Sequence, residues 1–420
     1  MLNEKGVREL CYVVKIDDIK PIEGKDRVEC AVVGGWTIMV RKDEFKPGDL
    51  AIYFEIDSKV PEKEPFLFLE QKHYKIKTQK YKTPSGQFWS QGLIMSAKDF
   101  GWEKKEDGVY DNKQNCHKLE DESRFLTQIL EVTYADAFDN VRKSNGPDKY
   151  KRMAARHPEL FKKDFIKWLY RKSWGKKLLF VFFGRSAKKT DWPNWVVKTD
   201  EERVQNLPNL FPPDDTPWMA TEKIDGTSTT FTLKKELFNK YTFLVCSRNV
   251  VFDKPNKKCF YETNVYTEMA EKYNMEEVLK KLFNTPSLWL RSDRDESLSF
   301  ITIQGETYGG SIQKRNYSTD KHDLKVFNLI YGYKKGKTVR VVRANPLEME
   351  RILKVFSIPT VPIVDEKFYL PQTCEELVEM ADGPSAIDGE MREGLVFRTY
   401  DGLRSFKAVS NPFLLKYHQN

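Results

Sequence analysis

The stretch Thr221-Glu222-Lys223-Ile224-Asp225-Gly226-Thr227 sets an amine, a carboxylate and a glycine within four residues. Apolar Met219 and Ala220 lead into it, and Thr229 to Leu233 follow with strand-like alternation. That pattern predicts Lys223 in the turn between two strands. Side chains two apart in extended backbone share a face, so Lys223 and Asp225 project the same way. Gly226 lets the backbone approach a ligand closely. A lysine amine placed like this can act as a nucleophile once its proton is gone. The same four letters also occur in ordinary surface hairpins, so the motif alone is not specific.

Four further stretches follow in order: Ser247-Arg248-Asn249, Gly305-Glu306-Thr307-Tyr308-Gly309, Val326-Phe327-Asn328-Leu329, and Arg392-Glu393-Gly394-Leu395-Val396 with Ser405-Phe406-Lys407. The series resembles the covalent nucleotidyltransferase superfamily of ATP- and NAD-dependent ligases and capping enzymes. Within it the chain is most similar to ATP-dependent RNA ligases that carry an OB domain in front of the catalytic domain. The motifs span most of residues 195–420, and a second likeness covers the first hundred residues.

The resemblance implies that Lys223 attacks the α-phosphorus of ATP and becomes lysyl–AMP. An ordinary lysine, with a pKa of about 10.4, is almost wholly protonated at neutral pH. Neighbouring cations or a divalent ion must therefore lower that value. Lys407 is the expected cation, and it would also hold the α-phosphate and balance the transition state's charge. The resemblance assigns Glu306 to the ribose hydroxyls. Glu393 goes to Mg²⁺ or Mn²⁺ through water, with Glu306 and Asp225 at the same ion; hard oxygen ligands suit such ions. Arg248 carries over as a contact to ribose and incoming phosphate, for which a guanidinium fork is suited. Phe327 takes the position that stacks on adenine, and the backbone carbonyl of Glu222 is expected to accept from the adenine amino group. Two positions depart from the pattern: Val409 stands where many relatives have a second lysine, with Lys416 a possible substitute, and Asn328 replaces an aspartate.

The implied function is an ATP-dependent RNA ligase sealing 3′-hydroxyl and 5′-phosphate ends in RNA repair. A DNA ligase or a capping guanylyltransferase shares the lysine chemistry, and a non-catalytic RNA-binding protein could keep the fold. The DNA ligases and capping enzymes usually place the OB domain after the catalytic domain, whereas here the OB likeness comes first.

These residues need a scaffold. Cys11 to Ile16, Val28 to Val33, Trp36 to Val40 and Leu50 to Phe54 read as short strands, punctuated by Gly24, Gly34-Gly35 and Lys46-Pro47-Gly48-Asp49. Such spacing suggests a small barrel. Val33-Gly34-Gly35-Trp36, Pro47 to Phe54, Tyr74 to Thr78 and Ser90 to Leu93 carry the OB likeness. Lys75, Lys77, Lys80 and Lys82 are expected on one face of a strand, suited to RNA phosphates. Arg124 to Val132 and Tyr150 to Ser173 read as helical and Leu178 to Phe183 as a strand. Thr199 to Glu202 fits a capping box. A helix is expected over 263–283, with Met269, Tyr273, Val278 and Leu282 inward. Ser297 to Gln304 and Leu324 to Tyr331 read as strands, Pro346 to Phe356 and Glu375 to Ala381 as short helices, and Gly394 to Arg398 with Ser405 to Val409 as a hairpin. The expected class is α+β: an N-terminal OB-type β-barrel over 1–100, a basic linker or inserted helical element over 101–190, and an antiparallel-sheet nucleotidyltransferase domain over 191–420.

Charge singles out one region. Residues 142–189 hold 16 lysines and arginines against 3 acids, an excess of +13 in a chain whose formal charge is +8. With aromatics interleaved, this block suggests a nucleic-acid phosphate backbone as partner. No run of about 18 apolar residues indicates a membrane span, and the first ten residues have no apolar signal core. An intracellular protein is expected. The six cysteines show no C-x-x-C spacing, so reduced thiols are expected in place of disulfides or a zinc site. A monomer is favoured.

Overall fold

The computed structural model describes residues 1–3, 8–84, 86–104, 110–111, 118–119, 125–134, 166, 169, 192–198, 200–236, 238, 240–248, 250–252, 264–289 and 295–418. Two compact units result: Met1–Thr133 with Trp192–Asn420, and Tyr134–Asp191. In the second unit only Tyr134, Ile166 and Leu169 are described, the last two as helix. The basic block, apart from those two residues, and the strand expected over Leu178 to Phe183 lie outside the described residues.

The N-terminal part of the first unit is built from short strands. Strands β1 (Cys11–Lys15), β5 (Leu50–Phe54) and β8 (Leu93–Ser96) form one antiparallel sheet with β5 central. Strands β2 (Asp18–Pro21), β3 (Val28–Val33) and β4 (Trp36–Arg41) form a second. A hairpin of β6 (Thr78–Thr83) and β7 (Gly86–Gln91) completes the set. Alternating apolar residues close a core around Tyr12, Trp36, Ile38, Ala51, Tyr53 and Ile94. The lysine series is broken at Lys77: Lys75 lies in a separate two-residue strand, so the four lysines do not share one face.

The C-terminal part contains a six-stranded and a four-stranded antiparallel sheet. The larger contains β10 (Thr227–Lys235), β11 (Tyr241–Cys246), β12 (Ser297–Tyr308), β13 (Asp323–Lys335) and β14 (Thr338–Arg343), in the order β11-β10-β12-β13-β14, with Val251–Phe252 at the β11 edge. The smaller runs β15-β9-β16-β17, from β9 (Trp218–Lys223), β15 (Ile363–Phe368), β16 (Gly394–Thr399) and β17 (Ser405–Val409). Helices α1 (Val265–Lys272), α2 (Met275–Phe283) and α3 (Pro346–Lys354) share the core of the larger sheet. Helix α4 (Cys374–Met380) shares that of the smaller one. Both α3 and α4 start at full capping boxes, Asn345 with Glu348 and Thr373 with Glu376. Helix α5 (Asn411–Tyr417) closes the chain, and its Leu414 enters the OB core together with Val409. Strand β10 is buried despite four threonines, because the hydroxyls pair across the sheet: Thr232 with Thr302 at 2.8 Å and Thr229 with Thr307 at 2.6 Å.

Three local expectations change. The helix over 263–283 is two helices, because Asn274 takes a left-handed conformation (φ 47°) between them. The segment 125–132 is an isolated turn closed by Leu130 N–H to Leu126 C=O and Val132 N–H to Thr127 C=O. No helix starts at 200: Thr199 lies outside the described residues, and the first helical turn is the 3₁₀ segment Val204–Asn206. The Glu202 carboxylate turns to Asn206 Nδ2 (2.7 Å) and the Arg203 N–H (3.0 Å).

Candidate active site

Lys223 ends β9, and residues 224–226 make the turn into β10. Its strand neighbour β16 begins at Gly394, opposite Lys223, so Glu393 sits beside the amine by register. Lys223 Nζ lies 2.6 Å from Glu393 Oε1. Glu306 enters from β12, where it pairs with Ser228, the second residue past the turn. Asp225 is fixed from both ends. Its N–H donates to the Tyr317 hydroxyl at 2.7 Å, and its carboxylate lies 3.5 Å from His418 Nε2. Tyr317 is held in turn by Arg315, whose guanidinium lies 4.3 Å from its ring and pairs with Asp388 through two bonds of 2.7 and 2.5 Å.

Gly226 is also needed within the fold itself. A Cβ there would stand 2.3 Å from the Thr307 carbonyl oxygen and 3.0 Å from Glu306 Cγ. The glycine thus lets the turn lie flat on β12, which sets the spacing between Lys223 and Glu306.

Electrostatics in this cluster favour a charged lysine. Burial lowers the Lys223 pKa, but Glu393, Glu306 and Asp225 outweigh it and the net direction is up. The expected lowering is absent from the ligand-free protein: Lys407 is near enough to be felt, but the three carboxylates dominate. Burial pushes Glu306 up to about 8, with Lys223 opposing and Glu393 and Asp225 reinforcing. Burial also raises Glu393. Three carboxyl groups around one ammonium would carry excess negative charge if all were ionised, and among the described residues Glu393 Oε2 is buried with no hydrogen-bond partner. A hard divalent cation fits that donor set. Among the described residues no group of three or more His, Cys, Asp or Glu side chains is arranged to hold an ion directly.

The other expected residues reach the site through Asp200. Lys407 in β17 is nearly buried, and its Nζ lies 2.5 Å from Asp200 Oδ1. Arg248 Nη2 is 2.5 Å from the other oxygen. Burial opposes ionisation of Asp200, but Lys407 and Arg248 hold its carboxyl well below the usual range. For Lys407 burial gives a net lowering, Asp200 opposing it and Arg8, Arg203 and Lys223 adding to it. One aspartate therefore occupies the two cations expected to meet phosphate. A separate cleft of about 810 Å³ borders Asp200, Trp218, Arg343 and Arg404, but not Lys223 or its carboxylates.

Phe327 sits at a β-bulge. The β12–β13 register steps from Gln304–Asn328 to Gly305–Val326, leaving Phe327 unpaired. Its carbonyl accepts from Arg398 Nη1 at 3.0 Å, and its half-buried ring borders the core. Glu222 directs its carboxylate to Ser385 and to the Ala386 N–H (2.8 Å), and its own N–H to Pro362 C=O. Burial raises its pKa. Asn328 is fully buried and donates to Gln304 Oε1 at 3.1 Å. Val409 faces the OB core, so the departure from a second lysine is a packing position. Lys416 is exposed, its ammonium 4.9 Å from the Tyr417 ring.

Sequence reading missed Asp200, Tyr317, Arg315 with Asp388, Arg398 and His418; Arg203 was matched to the ligase pattern, with Val204-Gln205-Asn206, but given no role. Three consecutive acids at 200–202 ahead of Arg203 were the available signal. Each serves a different partner: Asp200 takes Lys407 and Arg248, Glu201 takes Arg398 at 3.0 Å, and Glu202 takes Asn206.

Comparison with known proteins bears on the family and the fold. The family model for RNA ligase matches residues 216–417, and a model for an OB-fold domain matches residues 10–96. Among solved structures, a ligand-free mutant of a Naegleria gruberi RNA ligase is 26% identical, with 99% of this chain and 100% of that chain covered and a TM-score of 0.67. The same ligase with pyrophosphate is 26% identical over 99% and 100%, at 0.66. A mutant of it with ATP and Mn is 25% identical over 98% and 100%, also at 0.66. No curated protein sequence matches the chain. No helix among the described residues is long and apolar enough to cross a membrane.

Proposed function

Since the chain belongs to the ATP-dependent RNA ligases that carry an OB-fold domain ahead of the catalytic domain, we propose that it seals RNA 3′-hydroxyl and 5′-phosphate ends through an adenylate carried on Lys223, in RNA repair. The observation that carries this reading is the convergence of Lys223 at the end of β9, Glu306 in β12 and Glu393 just ahead of β16.

In the first step the Lys223 amine attacks the α-phosphorus of ATP. A P–N bond forms, the bond to pyrophosphate breaks, and the ammonium proton is released. Glu393 holds that ammonium at 2.6 Å before the reaction and aims it. Glu306, Glu393 and Asp225 would hold Mg²⁺ or Mn²⁺ through water and phosphate. When bound, such an ion neutralises carboxylate and phosphate charge and so favours the neutral amine. Lys407 and Arg248 leave Asp200 for phosphate oxygens, which present the same geometry to a guanidinium or ammonium. Phe327 offers its ring to adenine and the Glu222 carbonyl its lone pair to the amino group. In the second step a 5′-phosphate oxygen of RNA attacks the adenylate phosphorus, the P–N bond breaks and Lys223 leaves as amine. In the third a 3′-hydroxyl attacks the RNA phosphate and AMP departs.

The test is labelling with α-³²P ATP and Mg²⁺ or Mn²⁺ on a denaturing gel. Wild type acquires an AMP label stable to alkali, and Lys223→Ala acquires none. A wild-type protein that stays unlabelled while correctly folded sinks the proposal.

A further inference from the structure

The β6–β7 hairpin has two chemically different faces. Cross-strand register pairs Lys80 with Trp89 and Lys82 with Gln87 on one face, and Tyr81 with Phe88 on the other. Lys80 and Lys82 are exposed, and among the described residues neither pairs with a carboxylate. Lys80 Nζ stands 5.4 Å from the Trp89 ring centroid.

The base of that same face points to the catalytic centre. Thr78 and Gln91, which share the parity of Lys80 and Trp89, are buried. Gln91 Nε2 donates to Asn411 Oδ1 at 2.8 Å, at the start of α5. Lys77 Nζ donates to the His418 carbonyl at 2.6 Å, past the end of α5. The His418 ring is the one that meets Asp225. Lys77, the residue before Thr78 at the foot of this face, is therefore separated from Asp225 in the Lys223 turn by one residue, His418. The lysine–indole face then runs outward for about 13 Å, from Thr78 to Lys82, at roughly 3.3 Å per residue.

We propose that this face holds the RNA strand flanking the junction: Lys80 and Lys82 take its phosphates and Trp89 stacks on a base. The choice of polymer rests on the ligase reading above. An acidic protein would use the lysines but leave the indole across from Lys80 without a role. A polynucleotide supplies a phosphate and a planar base at every residue. In the free protein Lys80 covers the ring. An exposed cation–π contact is weaker than base stacking, so a base displaces it.

The test uses the full chain and a 5′-phosphorylated RNA of roughly 16 nucleotides, the upper end of what one OB fold covers. Affinity is measured by fluorescence anisotropy across a salt series. Lysyl–AMP formation, which needs no RNA, reports that each variant is folded. Lys80→Ala with Lys82→Ala is expected to weaken binding on the order of ten-fold and to flatten the salt slope by about 0.7 per lysine. Trp89→Ala is expected to weaken it on the order of ten-fold with the slope unchanged, and Trp89→Phe to recover most of the loss. Unchanged affinity and slope in the lysine and alanine variants overturns the proposal. So does polyglutamate bound by wild type more tightly than RNA and lost in the lysine variant, which assigns the face to a protein. Missing lysyl–AMP in wild type, with RNA binding still sensitive to these variants, sinks the ligase reading and leaves the face in place.

Discussion

Asp200 carries more of the site's balance than its place in the sequence suggests. Its two oxygens hold Lys407 and Arg248 at 2.5 Å each, in positions a phosphate would take. Removing the charge with Asp200→Asn leaves the nearly buried Lys407 ammonium without a counter-charge, at a cost of about 3–5 kcal/mol. The melting temperature of the ligand-free protein should fall by roughly 5–10 °C. Saturating ATP or pyrophosphate returns negative charge to both cations, so the deficit should shrink when either is present. Thermal melting with and without ATP decides it: an equal deficit in both conditions removes Asp200 from the phosphate site. Lys223 and its carboxylates were legible because each lies in a short contiguous motif. Asp200 was not, because Lys407 is 207 residues away and nothing local marks the pairing. His418 was invisible for the same reason, its partner Asp225 standing at the far end of the domain's sequence.

At the scale of elements, the turn after β9 and the bulge in β13 set where chemistry can occur. Gly226→Ala puts a methyl 2.3 Å from the Thr307 carbonyl, and neither strand can yield without shifting Glu306 or Asp225. Such overpacking costs about 1–3 kcal/mol. The expected result is a folded protein with a modestly lowered melting point and a far larger loss of lysyl–AMP formation. Adduct formation at the wild-type rate would show that the spacing between the turn and β12 is not critical. Asp388→Ala acts one layer further out. It leaves the buried Arg315 guanidinium, which is 2% exposed, with only the more distant Glu390 carboxylate at 3.8 Å, at up to about 3–5 kcal/mol. It also loosens Tyr317 behind Asp225, and chemical denaturation measures the loss. Most strands were legible, since β5 is an uninterrupted apolar run, β3 is apolar apart from Glu29, and β17 is apolar apart from Ser405 and Lys407. The break at Asn274 and the bulge at Phe327 were not. Each depends on a left-handed residue or a register step that periodicity does not encode.

Across the whole first unit, the short segment 202–206 joins the OB fold to the catalytic sheets. Asn206 Oδ1 accepts from Trp36 Nε1 at 2.6 Å, and Asn206 Nδ2 donates to Glu55 at 3.2 Å. Arg203 reaches Asp57 at 3.0 Å, while the Lys407 N–H donates to Glu202 C=O at 2.8 Å. The order of the two domains could be read from motifs; this seam could not, because it is made of polar groups drawn from five separate stretches. Glu55 is its fully buried anion. Burial opposes its ionisation, yet Arg8 at 2.7 Å and the Met1 amino group outweigh burial and set its pKa well below the ordinary carboxylate value. A carboxylate whose folded pKa is depressed stabilises the protein above its unfolded value, about 4.3 for glutamate, and loses that contribution as pH falls further. Stability measured by urea denaturation should therefore drop steeply below about pH 4 in wild type. Glu55→Gln cannot be protonated and so should show a shallower acid limb. At neutral pH it should be less stable by about 3–5 kcal/mol, because Arg8 keeps its charge and loses the nearer of its carboxylates. If wild type and Glu55→Gln lose stability in parallel as the pH falls, acid sensitivity arises elsewhere and Glu55 is not what holds the two domains together.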